Sequence, residues 1–147
     1  MADSQIIEIA DAIVADLNEN AEAWSLEFTA VRAYAPVYDL ADMGTMHVTV
    51  APSATVESLA DRSTTEEDCG IDVAIQVKPA ATDNATLDGL MELVAEVKSF
   101  LRKRSPTGTY AEWDETKNEP IYDVAALRTK GLFVSLLRLR YIVHYES

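Results

Sequence analysis

The sequence predicts an α/β (α+β) fold, a mainly antiparallel sheet with two helices packed on one face of a single domain. Two stretches repeat apolar residues at the three- and four-residue spacing of a helix, and several others alternate at the strand period of two. The predicted strands follow one another through short connections, which favours antiparallel pairing. At 147 residues the chain fits one domain with a sizeable core. It contains no internal repeat.

In the first helix, expected to run to about Asn20, Ile6, Ile9, Ala10, Ile13 and Leu17 form one stripe, widened by Ile7 and Val14. Asp11, Asp16 and Glu19 sit off that stripe, and Asp3 or Ser4 stands where an N-cap belongs. Residues 26–34 are rich in strand formers and are bounded by Pro36, which cannot donate to a central ladder. Residues 38–44 read as a connection, and 46–50 alternate cleanly up to Pro52. Residues 53–70 are polar, with five acids against one base between Glu57 and Asp68. They predict a protruding loop with a short strand at about 56–60. Little apolar surface is present there to offset ordering entropy, so the loop is expected to be flexible.

Ile71, Val73, Ile75 and Val77 alternate with Asp72, Ala74, Gln76 and Lys78, the clearest strand in the chain. Residues 83–86 open a second helix whose stripe is Leu87, Leu90, Met91, Val94, Val97 and Leu101, stopped by Ser105-Pro106. A second polar loop is expected at about 105–123. Gly131 then precedes a long strand over 132–145, some 46 Å if fully extended at ~3.3 Å per residue. A strand of that length either bends or is shared with a neighbouring subunit.

Charge is unevenly distributed. Residues 1–97 carry nineteen acids and three bases, whereas residues 98–147 carry nine bases and six acids. The net charge of −13 argues against wrapping nucleic acid, which needs clustered Lys and Arg. The one dense basic run, Lys98, Arg102, Lys103 and Arg104, suits a helix C-terminus. A split of this kind within one domain suggests a surface that meets a partner of opposite sign, including another copy of the chain. No apolar run approaches the ~20 residues that span a bilayer. The start lacks signal-peptide features, so a soluble cytosolic protein is expected.

Residues able to carry chemistry are scattered. His47 and His144 lie in predicted strands without a Ser or Cys partner at a diagnostic spacing or a second His at a ligand offset. The single cysteine, Cys69, sits among acids, which raise a thiol pKa. Glu66, Glu67, Asp68 and Asp72 lack the alternate-position acids and central glycine of a calcium loop. The five glycines are too widely separated for a phosphate-cradling loop or a dinucleotide fingerprint. No catalytic, metal or cofactor site is expected.

The helix bearing Ile6, Ile7, Ile9, Ile13 and Leu17 runs into AEAWSLEFTAVRAYAPVYDLADMGTMHVTVAP. An acidic stretch, the strand IDVAIQVKP and the helix LDGLMELVAEVKSFL follow. This order and phrasing, over residues 6–104, resemble small tail-terminator and tail-completion proteins of tailed bacteriophages and prophages. The resemblance implies a non-enzymatic subunit of a ring, commonly a hexamer, that caps the tail tube and joins it to the head. Tail tube protein and head-completion or neck proteins would be its partners, and DNA would pass through unbound. The virion, and the host cytoplasm during assembly, would be its location.

The residues agree in three respects. Acidic and basic segments on one subunit suit head-to-tail contacts, surplus negative charge suits a channel through which DNA slides, and long polar stretches suit docking. Arg128, Lys130, Arg138 and Arg140 are accordingly the expected interface bases. Arg138 and Arg140, two residues apart, share a strand face. Glu57, Asp61, Glu66, Glu67 and Asp68 are the expected channel or docking acids. The alternatives are a small cytosolic homo-oligomeric enzyme with an interfacial acid–base site at Asp72 or His47, and a regulatory binding module.

Overall fold

In a computed structural model, residues 5–35 and 44–146 are described. Helix α1 (Gln5–Glu19) and helix α2 (Asn84–Leu101) bury the expected stripes, with Ile9, Ile13, Leu17, Leu93, Val97 and Leu101 essentially inaccessible. The capping role expected of Asp3 or Ser4, and all but Gly44 of the connection expected at 38–44, lie outside the described residues.

Five strands form one mixed sheet: β1 (Thr29–Arg32), β2 (His47–Leu59), β3 (Thr64–Val77), β4 (Glu112–Asn118) and β5 (Phe133–Glu146). Their spatial order is β1-β2-β3-β5-β4. Alternate residues of the central strands, among them Val48, Val50, Ile71, Val73, Ile75, Leu137, Leu139 and Tyr141, join both helices in one core. Fully burying each such side chain contributes about 1.5–3 kcal/mol, so this layer holds the domain together. The predicted α+β class, with helices on one face, is the observed one.

Two clamps fix the helices to the sheet. The Asn18 side chain donates to Ala30 O at 3.0 Å, and Ala30 N–H donates to Asn18 Oδ1 at 2.8 Å, satisfying the exposed edge of β1. Trp24 Nε1 donates to Leu17 O at 3.2 Å, and its ring meets Phe28 at 5.6 Å and Phe100 edge-on at 5.3 Å.

Four features depart from the expectation. β1 pairs with β2 in parallel, Thr29 opposite His47, so the sheet is mixed rather than wholly antiparallel. Residues 53–70 are not a loop. β2 and β3 stay paired from His47–Gln76 out to Leu59–Thr65, and β3 pairs with β5 as far as Thr64–Glu146. The result is a three-stranded arm, and its backbone bonds supply the order that its side chains do not advertise. The second expected loop contains β4, an edge strand on β5.

A third helix, α3 (Val124–Lys130), precedes β5. Asp123 caps it, accepting from Ala126 N–H at 3.1 Å. Gly131 ends it at φ 62°, a left-handed conformation that glycine adopts without strain.

Candidate functional site

The face of the sheet turned away from α1 and α2 gathers charge. β3 contributes Asp68, Gly70 and Asp72, β5 contributes Arg138 and Arg140, and β4 contributes Glu115 and Lys117. Together with Ser53 at the β2 bulge they line an open groove of about 470 Å³. Register explains the arrangement: Arg138 lies opposite Asp72 on one side and Lys117 on the other, and Arg140 lies between Gly70 and Glu115. Gly70 makes room for the bulge, because a Cβ there would sit 2.7 Å from Ser53 Oγ.

Electrostatics within the groove are largely internal. Arg140 Nε donates to Asp114 Oδ2 at 2.7 Å, and a second guanidinium nitrogen bonds the same oxygen. Burial pushes the Asp72 carboxyl above its ordinary range, with Arg138 opposing that shift. Asp68 Oδ1 is buried without a partner. Beyond the groove, His144 Nε2 lies 3.4 Å from Glu66 Oε1.

The structure separates the four bases that the sequence groups. Arg138 and Arg140 do share an exposed strand face, but Arg140 is already held by Asp114 of its own chain. Arg128 and Lys130 instead occupy the last turn of α3, at the other end of β5 from the arm, and are exposed.

The five acids all lie on the arm and divide by face. Glu57 and Glu67 are opposite one another. Glu67 accepts hydrogen bonds from Tyr145 Oη at 2.8 Å and from Cys69 Sγ at 3.6 Å, which offsets their like-charge contact. Glu66 and Asp68 point to the other face. Asp61 holds the tip, accepting from Ser63 N–H at 2.8 Å, and that bond keeps its carboxyl below the ordinary range. The loop-closing bonds from Ala60 N–H and Asp61 N–H to Thr64 O complete a tight turn.

Cys69 is fully buried, and burial first and Glu67 second push its thiol up to about 12. His47, half-buried at the start of β2, and Asp72 are register partners of Gln76 and Ala51, so they stand four positions apart, about 13 Å along the sheet. The two residues suggested for an acid–base site are therefore not brought together. Among the described residues no group of three or more His, Cys, Asp or Glu is placed to hold a metal. No helix among them is long and apolar enough to cross a membrane.

A second surface was not anticipated from sequence. Leu87 and Met91 of α2, Tyr122, Leu127 of α3 and Phe133 line a groove of about 200 Å³, with Asp88 at its rim. Ile121, next to Tyr122 in the sequence, and Val124, the first residue of α3, are both about half exposed. The signal for α3 was present in Asp123 and Gly131, which bracket a seven-residue helix. The chain matches no family model, and no curated protein matches it.

Proposed function

We propose that the chain is a structural subunit that assembles with copies of itself into a ring. In this reading it is a bacteriophage or prophage tail-terminator protein that ends tail-tube growth and joins the tail to the head or neck. The observation that carries the reading is the arm: an ordered, acidic hairpin projecting from the core and presenting Val56 at 62% and Leu59 at 77% exposure. Apolar side chains held in water on an ordered projection support the reading of the arm as a contact surface. The order of elements resembling tail-completion proteins supplies the viral context, and the acidic surface fits a channel that does not retain DNA.

The test is molar mass by light scattering at rising concentration, alone and with tail tubes, followed by electron microscopy. The expected result is a closed ring at the tube end. A chain that stays monomeric at high concentration and leaves tubes uncapped would overturn the reading.

A small oligomeric enzyme is the second reading, favoured by the raised carboxyl of Asp72 beside Arg138 in the open groove. It requires that Asp72→Asn abolish a measurable turnover while leaving assembly intact.

A further inference from the structure

The arm tip and the groove beside α3 lie at opposite ends of the same sheet. In the register, Thr64 pairs with Glu146 and Val77 with Phe133, which places the two ends about 43 Å apart at ~3.3 Å per residue. One end carries an exposed apolar knob, Leu59, the last residue of β2 beside a turn braced by Asp61 and Ser63. The other carries an apolar groove formed by Leu87, Met91, Tyr122, Leu127 and Phe133.

Charge matches in the same sense. Glu57 is two residues from Leu59 on the same face, and Arg62 lies across the turn. Asp88 lines the groove from α2, and on α3 the lining residue Leu127 is followed by the exposed bases Arg128 and Lys130. No ion pair engages Glu57, Arg62, Asp88, Arg128 or Lys130 among the described residues.

We propose that Leu59 of one copy seats in the groove between α2 and α3 of the next, with Glu57 facing Arg128 and Lys130 and Arg62 facing Asp88. The occupant is a second copy because both halves of the match belong to this chain. The contact is heterologous: the surfaces are different and about 43 Å apart, so each subunit offers one of each, the arrangement that gives a ring when the rotation between copies closes. It rests on the ring reading and names the surfaces that build it.

Two sets of variants test the contact on the full-length protein. Leu59→Asp and the pair Arg128→Glu with Lys130→Glu alter exposed positions, so folding is preserved and checked by circular dichroism. Each set alone is expected to weaken association about ten- to hundredfold, the effect of one lost buried leucine or its charged surround. Leu59→Cys mixed with Met91→Cys is expected to give a disulfide-linked dimer under mild oxidation, while neither variant alone does so. The buried Cys69 thiol contributes no background.

Wild-type rings with no cross-link and unaltered assembly of Leu59→Asp overturn this contact while leaving the ring reading standing. A cross-link accompanied by a solution mass of two subunits keeps the contact but overturns the ring. A wild type that never associates overturns both.

Discussion

The carboxylate of Asp16, 3% exposed, accepts a hydrogen bond from the backbone N–H of Thr107 at 3.0 Å. Arg104, stacked over Phe100 at 4.2 Å, brings its Nε to 3.6 Å from the same oxygen. This joins α1 to the turn that leaves α2, across ninety-one residues of sequence.

Asp16→Ala is therefore expected to cost about 0.5–1.5 kcal/mol, because it removes the acceptor of the Thr107 N–H bond that ties α1 to this turn. Asp16→Asn keeps an acceptor and loses only the pairing with the partly exposed Arg104, so its cost should stay within about 1 kcal/mol. Urea unfolding of the two variants should rank them in that order.

Alkali should unfold the protein before the backbone itself is affected. The Cys69 thiol is raised to about 12 by burial and Glu67, against an ordinary 9.0. A raised folded-state pKa gives stability that is whole below pH 9 and drains away as the pH climbs toward 12. Tyr141, raised by burial and Asp16, and Tyr145, raised by burial and Glu67, add to the loss above pH 10.0. Thermal midpoints measured from pH 7 to 11 should fall beyond about pH 9. Cys69→Ser should flatten the first part of that fall, and a thiol reagent should label wild type only on unfolding.

Asp72 follows the same sign in acid, its raised carboxyl losing stability as the pH rises through the carboxylate range. Its carboxyl is raised by burial, so at neutral pH the charged form weakens the fold. Asp72→Asn should be more stable than wild type at pH 7, and the gain should vanish in acid as the native carboxyl takes up its proton. A constant difference between pH 3 and pH 7 would contradict this account.

Reversing both Arg138 and Arg140 to Glu should act first within the subunit. The new carboxylates would face Asp72, Asp114 and Glu115, so the β4–β5 ladder should loosen and the fold lose about 1 kcal/mol. Faster amide exchange at residues 112–118 would report it. If assembly weakens far more than stability, and most at low salt, these arginines also serve between copies.

What the sequence disclosed and what it hid follow from burial. α1, α2, and the inner halves of β3 and β5 pack one face on the core, so Ile9, Leu93, Ile71 and Leu137 leave periodic traces. The arm stands clear of that core, and neither of its faces demands apolar residues. Val56 opposite Asp68 and Glu57 opposite Glu67 read as loop. β4 is an edge of polar side chains, and α3 buries no residue fully. Asp16 read as a solvent-side residue because the turn that covers it lies far off in sequence. The charge split pointed to contacts between copies, yet Arg128 and Lys130 could not be told apart from Arg138 and Arg140 without the fold.

The arm is stitched on one side to β5, which follows the other four strands in the sequence, with Thr65 meeting Tyr145 and Cys69 meeting Tyr141. During synthesis, β2 and β3 emerge long before the strand that supports them. A two-stranded ribbon of this composition has little to hold it in water. The hairpin is thus expected to form on the ribosome only once residues 133–146 have been translated, which hydrogen exchange on stalled nascent chains would check. Strand order in the sequence therefore sets when the arm can form, because the ribbon precedes the strand that steadies it.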